Sequence, residues 1–276
     1  MDISVIITSY KDEKINSSIE SLLKQDKEPR QIIIVESSNE DFYKDLLEKW
    51  SDEDLVNFVR TPAGASVAEA RNYALEEVKG DIVCFLDTDE IAPPHWLKRI
   101  TEPIEKKEAD FTGGPTKNIG DYKYRDYFQK KEDHFYRYVV SKNPETIPMG
   151  NSAWKREIFE ELEGFDNRLG FSGEDWDINI RAVKSGFEGK FVPKAWVYHD
   201  QSSLDNAIKI IKKKYKYNVG GAMAQLKNDW MGERASRKGR IPLSKKYFHW
   251  LELIDPMIKP LALIKAYRKC KKSNIL

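Results

Sequence analysis

Residues 82–90 read IVCFLDTDE: five consecutive apolar residues, then Asp87, Asp89 and Glu90 within four positions. An uninterrupted apolar run of this kind is the pattern of a strand buried on both faces, as in a parallel sheet covered by helices. Carboxylates this close repel one another, and a fold tolerates them only where they reach water, hydrogen-bond donors or a cation.

The flanking sequence repeats the pattern. ISVIITSY (3–10) and QIIIVESS (31–38) read as buried strands and LVNFVR (55–60) as a third. Between them, Ile15, Ile19, Leu22 and Leu23 recur at helical spacing, as do Phe42, Leu46, Leu47 and Trp50. SVAEARNYALEEVKG (66–80) predicts a helix with Ser66 as N-cap and Gly80 as its stop, leading into the IVCFLD strand. Such alternation predicts an α/β fold: a mostly parallel sheet flanked by helices. Ligands of these sheets sit off the carboxyl ends of the strands. Thr8–Tyr10, residues 36–38 and residues 87–90 therefore share one rim, and the acidic cluster lies at the binding edge.

Downstream, residues 121–138 predict a long helix or a mobile region. Residues 147–166 predict a strand, a turn and a helix closed by Gly164. Residues 170–187 predict a loop and a helix with Ile178, Ile180 and Val183 inward, and residues 190–200 one last strand.

With 40% hydrophobic and 33% charged residues, the composition is that of a soluble folded protein. Cys84 and Cys270 make no disulfide framework, so a reducing compartment is expected. The N-terminus lacks a signal-peptide pattern, and no apolar stretch is long enough to span a membrane. A cytoplasmic location follows as the expectation. The net charge of +1 conceals two unlike parts: residues 206–276 hold 18 Lys/Arg against 4 Asp/Glu, and residues 1–205 hold 28 against 41. The balances are +14 and −13, which suggests different partners for the two parts.

An Asp-x-Asp triplet alone decides little, since the chain has three: Asp52–Asp54, Asp87–Asp89 and Asp175–Asp177. The first lies in a hydrophilic connector. The second follows a buried strand at the ligand rim, where it is either an acidic turn or a cation site. Hard Mg²⁺ or Mn²⁺ prefers carboxylate oxygens and completes its shell with water and substrate phosphates. Two such carboxylates could hold an ion that offsets charge on a diphosphate leaving group.

From residue 3 to about 200 the chain resembles the family 2 glycosyltransferases, whose nucleotide-sugar-binding fold is called GT-A. The resemblance is carried by SVIITSY, IIIVESS, ASVAEARNYAL, FLDTDE, MGNSAWKREIFEELEGFD, GFSGEDWDINIRA and VYHD, in that order. It implies a GT-A domain over 1–205, with a nucleotide-binding half (1–115) and an acceptor and catalytic half (116–205). It implies that Thr8, Ser9, Tyr10, Glu36, Arg71, Asp87 and Thr88 bind the nucleotide-sugar, Glu36 accepting from the base imide N–H. A UDP-sugar is the favoured donor. Asp87, Asp89 and His199 would hold Mn²⁺ or Mg²⁺. Asp175 would be the general base of an inverting displacement on an acceptor hydroxyl. Gly150, Asn151, Glu174 and Trp176 would shape the sugar and acceptor pocket. Residue by residue, the alternatives are a helix-surface role for Arg71, a core role for Trp176, a helix N-terminal charge for Asp177 and a hydrogen-bonded structural role for His199.

Residues 206–276 read as a basic amphipathic helical tail. Leu204, Ile208, Ile211 and Tyr215 form one stripe opposite Lys209, Lys212, Lys213 and Lys216. After a basic linker at 231–240, Tyr247, Trp250, Ile254, Met257, Leu261 and Ile264 form another. Such a tail fits an anionic membrane interface at the inner face of the cell membrane, and with it a lipid-linked acceptor. The alternative packs the stripes against the acidic body or a second subunit in a homodimer. No recognition motif for nucleic acid accompanies the charge. The polymerising members' Gln-x-x-Arg-Trp signature is absent from QLKNDW (225–230), which predicts single-sugar transfer to a glycan or lipid-linked acceptor. Two rival functions remain at this level: a sugar nucleotidyltransferase, whose Gly-rich phosphate loop TSYKDEK lacks, and a non-catalytic GT-A-like protein that binds membrane or a partner.

Overall fold

The computed structural model describes residues 1–38, 40–170, 172–230 and 254–276. The first half follows the expected alternation: β1 (Ile3–Ser9), α1 (Ile15–Leu22), β2 (Gln31–Glu36), α2 (Glu40–Trp50), β3 (Val56–Arg60), α3 (Val67–Glu76) and β4 (Ile82–Leu86). These strands run parallel in the order β3-β2-β1-β4, with Ile6 opposite both Ile33 and Phe85. Alternate residues feed two cores. Val5, Ile7, Ile32, Ile34 and Cys84 pack with Ile15, Ile19 and Leu22 of α1, and Ile6, Ile33, Val83 and Phe85 pack with Ala70 and Ala74 of α3. Both faces are covered, which is why these strands carry no polar alternation.

Helix α3 begins with a reciprocal capping box: Glu69 N–H donates to Ser66 Oγ (3.2 Å) and Ser66 N–H to Glu69 Oε2 (2.7 Å). It ends at Glu76, before Gly80. The glycine is needed for a different reason, since a Cβ there would stand 2.6 Å from the backbone nitrogen of Ser4.

The second half supplies β5 (Glu90–Ile91), α4 (Trp96–Glu105), β6 (Phe111–Gly113), β7 (Thr116–Asn118), α5 (Arg125–Tyr138), β8 (Asn151–Lys155), α6 (Arg156–Glu161), α7 (Glu174–Lys184), β9 (Gly189–Phe191) and β10 (Val197–His199). Strands β8, β6 and β9 extend the sheet beyond β4 to seven strands, and only β8 runs against the others. The 121–138 segment contains a regular helix, α5. Residues 190–200 form two strands instead of one, because a turn at Pro193–Lys194 sends the chain from the large sheet into a second sheet, β5-β10-β7.

Two helices follow, α8 (Ala207–Lys227) and α9 (Asp255–Lys272). They meet through Val219 and Met223 on α8 and Ala262, Ala266 and Cys270 on α9, with Leu169 beneath. The expected stripes are corrected here. Ile208 is 66% exposed while Ile210 is buried, and Met257 and Leu261 on α9 are 70% and 60% exposed while Ile258 and Ala262 are buried. The inward faces are rotated from the expected stripes and include small residues, Ala224 on α8 and Ala262 and Ala266 on α9, beside Val219, Met223 and Ile258. The basic linker at 231–240, Tyr247 and Trp250 lie outside the described residues. Among the described residues no helix is long and apolar enough to cross a membrane.

Candidate active site

The turn after β4 is held from below. Ser18 of α1 is fully buried, and its hydroxyl lies 2.7 Å from the Thr88 carbonyl and 2.6 Å from that of Glu90. Thr88 donates its hydroxyl to Asp12 Oδ2 (2.7 Å). The second sheet brings His199 alongside, since β10 pairs with β5 to set His199 opposite Glu90, and Asp200 N–H donates to the Asp89 carbonyl (2.8 Å). His199 Nε2 then stands 3.4 Å from Asp89 Oδ2, and its buried Nδ1, with no hydrogen bond among the described residues, is 3.9 Å from Glu132 Oε1 on α5.

This arrangement sets the charges. Burial opposes ionisation of Asp89, but the hydrogen bond and charge of His199 outweigh it and hold the carboxyl below its ordinary pKa. Burial likewise opposes the imidazolium, and Asp89 reverses the sign, lifting His199 to about 9. Asp87 moves upward: loss of water around its carboxyl and the nearby Asp89 charge raise its pKa against the opposing pull of Arg71, although 48% of the side chain's surface stays exposed. It fits beneath Gly150, where a Cβ would stand 2.4 Å from Asp87 Oδ2. The close approach that Gly150 permits is thus made by the acidic turn itself.

Arg71 joins this turn to the first turn of α7. It is buried, its Nη1 donates to Glu174 Oε1 (2.9 Å), its Nη2 is 3.8 Å from Asp87 Oδ1, and its guanidinium lies over Phe85 and Phe165. It is a buried clamp and not a helix-surface residue. Beside Glu174, Asp175 accepts from the Trp176 N–H (2.8 Å). Burial, the Glu174 charge and, more weakly, Asp87 push Asp175 up to about 7 despite Arg71. Arg71 thus lies between the acidic turn that carries Asp87 and the helix turn that carries Glu174 and Asp175. Trp176 is half-buried, with Gly221 of α8 beside its ring. Asp177 is fully buried and binds Lys227 Nζ (2.8 Å), Arg181 Nε (2.8 Å) and Asn228 Nδ2 (2.7 Å), which makes it an anchor for α8.

Along the rest of the rim, Glu36 Oε1 accepts from the Ser38 N–H (2.7 Å) and the Lys11 N–H (3.3 Å), and its buried Oε2 has no partner among the described residues. Ser9 Oγ is likewise buried and unpaired, Thr8 is half-buried, and Tyr10 is exposed. Asn151 departs from expectation. It is 1% exposed, accepts from Trp96 Nε1 (2.7 Å) and donates to the carbonyls of Pro115 and Ala195 (3.0 Å each). Its amide is a tie inside the fold rather than a pocket wall.

Three residues near the carboxylates were given no part in the site by the sequence. Glu132 accepts from Thr116 Oγ1 (2.7 Å) and from Gln201 Nε2 (2.6 Å) beside His199. Lys213 Nζ donates to Gln201 Oε1 (3.3 Å) and lies 5.5 Å from the Tyr217 ring. Tyr217 is 56% exposed, and loss of water around its hydroxyl together with the charges of Asp87 and Asp175 raises its phenol above the usual value. Lys213 and Tyr217 belong to the segment read as a tail.

The donor set suits a hard cation only with help. Among the described residues no group of three His, Cys, Asp or Glu side chains converges to hold a metal unaided. Asp89 and His199 offer a carboxylate and an imidazole in contact. A Mg²⁺ or Mn²⁺ that draws its remaining ligands from a diphosphate and water asks for little more.

The sequence pattern of the family described as Glycosyl transferase family 2 matches residues 4–163. The chain belongs to that family. The matched segment runs from β1 past α6 and includes Asp87 and Asp89, whereas Asp175, His199 and Lys213 of this family 2 protein lie beyond it. It is 26% identical over 189 residues to the glucosyl-dolichyl phosphate glucuronosyltransferase of Haloferax volcanii, an alignment that covers 63% of this chain and 59% of that protein. To an uncharacterized glycosyltransferase of Methanocaldococcus jannaschii it is 21% identical over 247 residues, covering 84% of this chain and 80% of the other. Its fold is that of the mannosyltransferase PcManGT from Pyrobaculum calidifontis, solved in complex with GDP-Man and Mn²⁺. The TM-score is 0.62 at 20% identity, over 99% of this chain and 74% of that one.

Proposed function

We propose that this family 2 protein is a metal-dependent inverting glycosyltransferase that moves a single sugar from a nucleotide-diphosphate donor, with a UDP-sugar as first candidate, to an acceptor hydroxyl. The observation that carries the reading is the buried Arg71, which pairs with Glu174 beside Asp175 and stands 3.8 Å from Asp87 of the acidic turn. In this reading residues 1–115 bind the nucleotide, with Thr8, Ser9, Tyr10, Glu36 and Thr88 on the rim, and residues 116–205 carry the acceptor side. The unpaired Glu36 Oε2 supports a role in accepting from a base imide. Asp89 and His199, with Asp87, would hold Mn²⁺ or Mg²⁺, which supplies positive charge to the diphosphate.

The rest of the mechanism lies with side chains. The Asp175 carboxylate removes the acceptor hydroxyl proton as that oxygen bonds to the anomeric carbon. The bond from that carbon to the diphosphate oxygen breaks on the opposite face, and its electron pair leaves with the diphosphate. Glu174 and Arg71 orient the base and exclude water behind it.

The acceptor reading is a lipid-linked or glycan hydroxyl at the inner face of a membrane. It is supported by the exposed Met257, Leu261 and Ile264 on α9, and by an open groove in which Leu261 and Ile264 lie beside Lys265, Arg268 and Lys269. Thermal-shift titration of UDP-, GDP- and dTDP-sugars with and without Mn²⁺ tests the donor reading. Metal-dependent stabilisation by one nucleotide-sugar is expected. Absence of any response would return the chain to the non-catalytic alternative.

A further inference from the structure

Lys213 is one of four lysines on the face of α8 that the sequence assigns to solvent. Lys209, Lys212 and Lys216 are exposed, but Lys213 is half-buried and turned toward the acidic turn. A continuous line of contacts connects it there. Its Nζ donates to Gln201 Oε1 (3.3 Å), and Gln201 Nε2 donates to Glu132 Oε1 (2.6 Å) and Asn118 Oδ1 (2.8 Å). Glu132 Oε1 faces His199 Nδ1 at 3.9 Å, and His199 Nε2 faces Asp89 at 3.4 Å.

The helix that carries Lys213 is packed and paired against its neighbours. A Cβ on Gly220 would fall 2.2 Å from the Ser172 carbonyl oxygen, so the α8 backbone rests directly on the loop that precedes Glu174. Ser172 Oγ donates to the Lys216 carbonyl (3.1 Å), and Lys227 binds Asp166 (2.7 Å) as well as Asp177. Lys213 thus stands on a helix packed against the loop that leads into Asp175.

Three Lys and Arg side chains bear electrostatically on Asp87 or Asp89: Arg71, Lys14 and Lys213. Arg71 is paired with Glu174, and Lys14 with Asp200 (3.2 Å). Lys213 is the one of the three with no salt bridge to a described residue. Two carboxylates and a diphosphate together carry more negative charge than one divalent cation neutralises, so the site calls for a further cation.

We propose that Lys213 binds the diphosphate of the nucleotide-sugar, its ammonium contacting phosphate oxygens and stabilising the nucleoside diphosphate as it departs. The assignment rests on the donor reading above. The acceptor oxygen bonds to the anomeric carbon, the bond to the diphosphate oxygen breaks with its electron pair retained on that oxygen, and the proton passes to Asp175. Lys213 contributes charge and hydrogen bonds and keeps its own protons.

Calorimetric titration of UDP, GDP and dTDP with Mn²⁺ into the full chain tests this, beside Lys213→Met, Lys213→Arg and Lys212→Ala. The wild type is expected to bind one of the diphosphates. Lys213→Met should weaken that affinity about tenfold or more, while Lys213→Arg stays within about threefold and Lys212→Ala is unchanged. The ligand-free melting temperature of Lys213→Met should match wild type. If it falls, Lys213→Gln, which retains a donor toward Gln201, carries the test with the same expected loss. Equal diphosphate affinity in wild type and the folded Lys213 variant overturns the assignment. Failure of the wild type to bind any of the three instead overturns the donor reading beneath it.

Discussion

Arg71 donates to Glu174 at 2.9 Å inside the protein, and this pair joins the helix before the acidic strand to the helix that presents Asp175. Both side chains are less than 10% exposed. A buried pair of this kind contributes modest net stability, but removing one partner strands the other charge. Arg71→Met is therefore expected to cost about 3–5 kcal/mol in urea denaturation. The double variant Arg71→Met/Glu174→Gln should recover part of that loss. An additive double variant would mean that the two side chains do not act as a pair.

Asp175→Asn removes the proposed base while keeping the side chain's size and its acceptor for the Trp176 N–H. Transfer is expected to fall by at least about 10²-fold, with nucleotide-sugar affinity within about threefold of wild type. A variant that loses donor binding to the same degree would remove the base assignment.

The pH profile follows from the same carboxyl. Its pKa is raised to about 7, so the ionised form that accepts a proton is the minor form below pH 7 and the major form above it. At constant saturating metal, kcat/KM should climb about tenfold per pH unit below 7 and level off above it. A profile flat from pH 5.5 to 8 would show that Asp175 is not the titrating base.

Gly150→Ala places a methyl group where Asp87 Oδ2 now lies, 2.4 Å from the added carbon. Because the Asp87 side chain is half-exposed, it can turn aside at little cost to the fold. The expected signature is a melting temperature within about 2 °C of wild type and a loss of Mn²⁺-dependent nucleotide affinity of about tenfold. Unchanged affinity would show that the position of Asp87 is not critical to the donor.

The α9 face can be tested without deleting any helix. Leu261→Glu/Ile264→Glu replaces two exposed residues with charges and leaves Ala262 and Ala266, which face α8, in place. In flotation with vesicles containing phosphatidylglycerol, wild type should rise with the lipid and the variant should remain below. Equal flotation of the two would remove α9 as the docking face.

The sequence made the parallel half legible because its strands are apolar throughout and its helices periodic, and because Ser66 and Glu69 announce a cap that forms as expected. The rim position of Asp87 and Asp89 followed from topology. What it could not convey was contact across long separations. His199 meets Asp89 only because a turn at Pro193 moves the strand into a second sheet. Asn151 looked like a pocket residue, and nothing local reveals that Trp96, Pro115 and Ala195 use its whole amide. On α8 the inward face includes Gly220 and Ala224, so a reading that follows large aliphatics rotated the helix and placed Lys213 among the solvated lysines, whereas it is half-buried.

Where Gly220 meets Ser172, two backbones touch with no side chain between them. Recombination within such a family must respect that contact. A chimera that takes residues 1–163 from one parent inherits the acidic turn but not its counterpart. Helix α8 can be exchanged only together with the loop it rests on and with Asp177, which Lys227 neutralises. Residues 172–227 are then a cassette that must be inherited whole if these contacts are to survive.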